Sequence, residues 1–205
     1  MSDKLKKWDG AYQDADIASA VASQVLRDNA FLLPHVKKQS NQALRALDLA
    51  CGRGGNALFL ARQGYDVDAM DISLNVLEKL ADFAAKKQLA IHCLQRDVES
   101  EGLPAQHYTE QYDIITVSYF LYRPLFADIV NALKPGALLF YQTWSQLSVD
   151  KEKGPASSKF RLAQGELLNL TEPLIPVYYQ ENGLLGDTRQ GLRNEAMLIA
   201  QKICY

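Results

Sequence analysis

Cysteine, histidine and excess positive charge are all scarce in this sequence. Three cysteines, Cys51, Cys93 and Cys204, lie far apart in 205 residues, too few and too scattered for a disulfide framework. The three histidines, His35, His92 and His107, show no metal-ligand spacing, so no metal is expected. No apolar run reaches the roughly 18 residues that cross a bilayer. The polar start MSDKLKKWDGAYQDAD lacks the apolar core of a signal peptide. The chain therefore reads as cytoplasmic, with no membrane partner. Lys and Arg number 22 against 24 Asp and Glu, and the sequence pI is about 5.9. That balance lacks the field needed to neutralise phosphate backbones, so no nucleic-acid partner is expected. Oligomeric state is not legible.

What is present is an apolar content of 48%, enough for one globular domain around a single core. Ile17, Val21 and Val25 recur at helical spacing before Pro34, which predicts a helix from about Asp16 to Leu33. ALRALDLA (43–50) is a buried-strand run, CGRGG after it a turn, and 54–63 a helix closed by Gly64. The unit repeats: YDVDAMD (65–71) is a strand, Ser73 an N-cap, and Leu77, Leu80, Ala81 and Ala84 form a helical stripe. LAIHCL (89–94) and YDIITVS (112–118) are further strands. A helix from Pro124 stops at Lys134-Pro135-Gly136, and ALLFYQTW is a fifth strand. Residues 174–180 and 192–203 are strand-like around a Gly-rich turn. The fold class is α/β: a Rossmann-like, doubly wound, mostly parallel sheet of about seven strands with a C-terminal antiparallel hairpin. The polar segment 145–158 reads as a mobile loop placed to cover a ligand.

In such a sheet, ligands bind outside the carboxyl ends of the strands. Small residues at 50, 52 and 54 follow the first strand and let the backbone approach a ligand closely. Asp71 ends the second strand, where a carboxylate accepts hydrogen bonds from ribose hydroxyls. Both indicate a nucleoside cofactor. Gly52-Arg53-Gly54-Gly55-Asn56-Ala57 also satisfies the dinucleotide fingerprint, so an NAD(P)-dependent oxidoreductase is one alternative. Asp48 favours S-adenosylmethionine (AdoMet) instead, because a carboxylate there repels a pyrophosphate and attracts an ammonium group. Asp97, after the third strand, is placed to accept from an adenine amino group. An AdoMet-binding protein without catalysis is a further alternative.

LDLACGRGGNALFLARQGYDVDAMDIS, followed by RDV, YDIITVSYFLYRP and LKPGALL, resembles the class I AdoMet-dependent methyltransferases. Trp8-Asp9-Gly10-Ala11-Tyr12, FRLAQGELLNL (160–170) and LRNEAMLIAQK (192–202) are similar to the tellurite-resistance and thiopurine-type branch of small-molecule methyltransferases. The resemblance implies that Asp48, Ala50 and Gly52 surround the methionine end of AdoMet. It puts Asp71 on the ribose, Ile72 against adenine, Asp97 and Val98 beside adenine, and Ser118 and Tyr119 along the methyl side. It implies one domain: a helical extension and lid (1–42), an AdoMet-binding core (43–143), and a loop, short helix and hairpin (144–205). Tyr119 and Tyr122 are expected to shape a small-molecule acceptor pocket walled by Trp8, Tyr12 and Trp144, and the branch's acceptor-facing arginine falls near Arg193. Two departures stand out: Gly55 lies where that branch carries an arginine, and Ala50 replaces a commoner glycine. No general base can be placed, which favours a soft nucleophile as acceptor.

Overall fold

The computed structural model describes residues 3–35 and 43–204. Short apolar runs, each followed by a helix that returns the chain across the sheet, pair in parallel. They are β1 (Arg45–Leu49), β2 (Asp66–Asp71), β3 (Ile91–Gln95), β4 (Tyr112–Ser118) and β5 (Leu133–Trp144). β6 (Leu174–Gln180) and β7 (Glu195–Lys202) close the sheet antiparallel, β7 lying between β5 and β6. The strand order is β3-β2-β1-β4-β5-β7-β6, the expected Rossmann-like sheet with its hairpin at one edge.

Alternation along the strands divides the core in two. Leu47, Leu49, Met70, Ile115, Val117 and Leu139 face one side, where α7 (Phe126–Ala132) and α8 (Glu166–Leu170) pack. Ala46, Val67, Ala69, Ile114 and Phe140 face the other, covered by α2 (Gln24–Asp28), α3 (Gly55–Arg62) and α4 (Leu74–Lys87). Full burial of each Leu, Ile or Val contributes about 1.5–3 kcal/mol. α3 ends as expected, on Gly64 at φ 93° with the Tyr65 N–H donating to Leu60 O. Ser73 caps α4 by accepting from the Val76 N–H. Ala81 lies on the exposed face of α4, outside the buried stripe. Two further short helices, α5 (Val98–Glu101) and α6 (Ala105–Tyr108), follow β3.

Three expectations need correction. The N-terminal helix is α1, Asp3–Ala11, while 16–23 is irregular and Val21 is exposed. Tertiary partners explain this: the Ser23 N–H donates to Asn56 Oδ1 (2.8 Å) and the Val25 N–H to Gln142 Oε1 (2.9 Å), which takes amides that a helix would need for itself. The chain also passes so near Gly55 that a Cβ there would meet Val21 O at 2.3 Å. β5 begins at Leu133, because Lys134-Pro135-Gly136 is absorbed as an irregularity at its start. The 145–158 loop is extensively tied down. Arg161, itself buried, donates to Ser145 O, Pro155 O and Lys153 O, and Asn194 Oδ1 accepts from Ser148 Oγ and the Asp150 N–H. The expected 1–42 extension includes residues 36–42, which lie outside the described residues.

Candidate active site

A cavity of about 1010 Å³ opens over the carboxyl ends of the parallel strands. Its polar groups follow the strand order. Asp97 stands beyond β3, Asp71 at the end of β2, Ala50 and Gly52 after β1, Ser118 and Tyr119 at β4, and Gln142 and Trp144 on β5, with Glu195 at the start of β7.

The turn after β1 is left-handed at Ala50 (φ 54°), Gly52 (φ 50°) and Gly54 (φ 72°). Glycine accepts that geometry freely, whereas alanine at position 50 is held there against a local penalty of about 1 kcal/mol. Tyr12 covers the turn so closely that a Cβ on Gly52 would lie 2.7 Å from its hydroxyl. Burial, and then the Asp71 charge, push the Tyr12 phenol up to about 12. Asp71 accepts from the Gly52 N–H (2.8 Å) and the Ser73 N–H (2.9 Å), one on each oxygen, so the carboxylate is aimed before any ligand arrives. Burial raises its pKa against those hydrogen bonds. Ile72 and Val98 line the same end.

α1 sits over this end through polar contacts. Lys4 Nζ pairs with Asp97 (2.8 Å) and Glu99 (2.9 Å), and Ser73 Oγ donates to Asp9 (2.6 Å). Partial burial opposes ionisation of Asp97, but Lys4 outweighs it and holds the carboxyl below its ordinary range. Trp8 stacks on Tyr12, ring centroids 6.1 Å apart, and both line the cavity.

Three of the expected site residues lie away from the cavity. Asp48 is 1% exposed and sits beneath the turn. It accepts from the Ala57 N–H (2.9 Å), Asn56 Nδ2 (3.2 Å) and Thr116 Oγ1 (3.2 Å), and burial above all raises its pKa to about 7. Tyr122 packs half-buried against the core face that holds α7. Arg193 donates to the carbonyls of Asn182, Gly183, Asp187 and Gln190, organising the loop between β6 and β7. Four backbone acceptors occupy its guanidinium.

The structure also supplies residues that the sequence did not disclose. Asn56 joins Asp48, Ser118 and the Ser23 amide in one network. Gln142 Nε2 donates to Glu195 Oε2 (2.6 Å) and approaches the Tyr119 hydroxyl (3.2 Å), which itself donates to Glu195 Oε2 (3.2 Å). Partial burial and then Glu195 push the Tyr119 phenol up. One signal was readable: Leu138, Phe140, Gln142 and Trp144 alternate on one strand face, apolar first and polar or aromatic at the end that meets the cavity.

Comparison with known proteins bears on this cleft. Residues 46–136 match the family model described as a methyltransferase domain. Hemagglutinin 1 of Eikenella corrodens is 35% identical over 99 residues, 45% of this chain and 31% of that protein. The probable S-adenosyl-L-methionine-dependent methyltransferase TehB of Haemophilus influenzae is 29% identical over 143 residues, 67% of this chain and 48% of that protein. The chain thus spans less than half the length of either relative. The TehB crystal structure superposes with a TM-score of 0.67 at 23% identity, covering 95% of this chain and 67% of that one. A protein solved in connection with converting a disulfide bond into a thioacetal group during echinomycin biosynthesis gives 0.70 at 19% identity, covering 98% and 92%.

Proposed function

We propose, from the match of residues 46–136 to a methyltransferase-domain model and from the Rossmann-like sheet, that this chain binds AdoMet and methylates a small-molecule acceptor. The observation that carries this reading is at the start of α3. A dinucleotide sets its pyrophosphate against amides at that helix terminus, but here the Ala57 N–H is already bonded to the buried Asp48. An anion is disfavoured there, while the left-handed turn above remains open to the uncharged and cationic parts of AdoMet.

The remaining assignments fit the cavity wall. Asp71 keeps lone pairs for the ribose hydroxyls, and Asp97, Val98 and Ile72 flank adenine. Ala50, Gly52 and Ser118 follow the methionine end, with Trp8 and Tyr12 closing over it. When bound, AdoMet supplies an electrophilic methyl carbon on a sulfonium with a neutral thioether as leaving group. The protein's share is to orient that carbon and exclude water. Tyr119 and Trp144, 5.2 Å apart between ring centroids, wall the acceptor side. The resemblance of Trp8-Asp9-Gly10-Ala11-Tyr12, 160–170 and 192–202 to the tellurite-resistance and thiopurine-type branch supports a soft acceptor: a thiol, or a selenium- or tellurium-derived species.

Calorimetry should show binding of AdoMet and none of NADH, with conversion to S-adenosylhomocysteine when thiols, selenite, tellurite or small amines are supplied. NADH binding alone would replace the methyltransferase by an oxidoreductase. AdoMet binding with no turnover of any acceptor would leave a non-catalytic binder.

A further inference from the structure

Glu195 places a carboxylate at the acceptor end of the cavity. Its Oε2 accepts from Gln142 Nε2 at 2.6 Å and from the Tyr119 hydroxyl at 3.2 Å, and among the described residues Oε1 has no hydrogen-bond partner. Gln142 is buried and its own Oε1 accepts from the Val25 N–H, so the amide that holds Glu195 has a set orientation. Tyr119 is fixed as well. Its N–H donates to Gln142 O at 2.8 Å, and its backbone is left-handed at φ 56°, a conformation that tyrosine keeps only under surrounding constraint. A carboxylate positioned by groups from three elements, with one oxygen to spare, is built like a reacting group.

Its charge sorts acceptors. A neutral nucleophile attacking a sulfonium methyl gains positive charge on the way to the transition state, which a nearby carboxylate stabilises. An anionic nucleophile meets the same carboxylate as a like charge before it reacts. Arg27 lines the cavity too and acts on Tyr119, but it is exposed, and solvent and salt screen it more than they screen Glu195.

We propose, resting on the methyltransferase reading, that Glu195 is the proton-accepting carboxylate of the acceptor site, and that the acceptor is a neutral thiol or amine bearing a proton on its attacking atom. The lone pair of that sulfur or nitrogen forms the bond to the methyl carbon as the carbon–sulfonium bond breaks. The broken bond's electrons remain on the thioether, and the acceptor's proton passes to Glu195 Oε1. An oxyanion offers no such proton and is repelled. Within the soft acceptors, this selects the protonated thiol over selenite or tellurite.

The experiment compares the wild-type protein with Glu195→Gln on 2-mercaptoethanol, a small primary amine, selenite and tellurite at saturating AdoMet. Glutamine keeps an oxygen to accept from Gln142 and Tyr119, so shape is preserved while the base is lost. Wild type should prefer a neutral acceptor, and the variant should lose that turnover by on the order of 10²-fold or more. Calorimetric affinity for AdoMet should stay unchanged in the variant, which shows that it is folded and keeps the cofactor reading separate. In the wild-type complex with S-adenosylhomocysteine, the neutral acceptor should bind more tightly than tellurite, a measurement that needs no variant. A variant as fast as wild type, a wild-type preference for either oxyanion, or no turnover of any neutral acceptor would each overturn the role of Glu195. Failure of wild-type protein to bind AdoMet would instead overturn the methyltransferase reading beneath it.

Discussion

The cleft over β1, β2 and β3 and the cleft over β4, β5 and β7 are assembled in different ways. Over the first three strands, each polar group follows its own strand, and the groups come in sequence order: Ala50 and Gly52, then Asp71, then Asp97. Over the last three, Tyr119 and Glu195 stand 76 residues apart and meet only because β7 inserts between β5 and β6. The first arrangement repeats one strand-turn-helix unit, and its first two turns are tied together where Asp71 accepts from the Gly52 N–H. The second depends on the register of an antiparallel pair, in which Trp144 faces Glu195 and Gln142 faces Met197. A slip of one residue there would turn Glu195 to the opposite face of the sheet. The groups over β1, β2 and β3 are thus placed by turns close in the chain, and those over β4, β5 and β7 by long-range pairing.

The largest expected effect comes from Asp48, which braces the boundary between the two sides through Asn56 and Thr116. Asp48→Ala leaves the Ala57 N–H without its acceptor in a buried site and takes one of two acceptors from Asn56 Nδ2 and from the Thr116 hydroxyl, and should lower stability by about 3 kcal/mol. Urea unfolding measures this, and a loss under about 1 kcal/mol would show that the network is not structural. Asp71→Ala should act on the cofactor side alone. It should weaken AdoMet binding by about 1–3 kcal/mol, and calorimetry giving unchanged affinity in a folded variant would remove the ribose assignment.

A pH effect follows from Asp48 as well. Its folded pKa of about 7 lies above the ordinary aspartate value, so the folded state binds the proton more tightly than the unfolded chain does. The resulting stabilisation is complete below the unfolded pKa and is lost as pH rises through about 7. Between pH 5 and 7 wild type should lose about 2 kcal/mol more than Asp48→Asn does. Parallel stability curves for the two proteins would reject this. The smallest effect should be on the acceptor side. Tyr119→Phe keeps the ring against Trp144 and removes one of two hydrogen bonds to Glu195, so its rate should fall less than about tenfold, with Tyr119→Ala falling further. A Phe variant as inactive as the Ala variant, with AdoMet binding intact, would make the hydroxyl itself the catalytic group.

Hydrophobic alternation and turn chemistry disclosed the parallel strands, the Gly64 stop and the Ser73 cap, because backbone geometry and local capping decide those features within a few residues. The same local logic disclosed Asp71 and Asp97, each of which ends up on the cavity wall. It failed for 16–23, where an apolar stripe with helical spacing gave way to side chains from α3 and β5 that took the Ser23 amide and, at the start of α2, the Val25 amide. It failed at Asp48, whose position beside the turn was readable but whose burial under Asn56 was not. It failed for Arg193 and Glu195, two residues apart in one short run. Strand alternation cannot say which of two neighbouring charges lies in a loop and which lies on the cavity wall.

What the sequence determined by itself is the α/β order, the position of the glycine turn and the acidic residues that follow successive strands, since each depends on neighbours close in the chain. The tertiary structure alone decided which charge stands on the cavity wall beside Tyr119. Glu195 reaches the cavity and Arg193 is drawn away because β7 pairs with β5 in one register and four carbonyls of the preceding loop surround the arginine. Such long-range hydrogen bonds are set by the packing of the whole sheet, which no local pattern encodes.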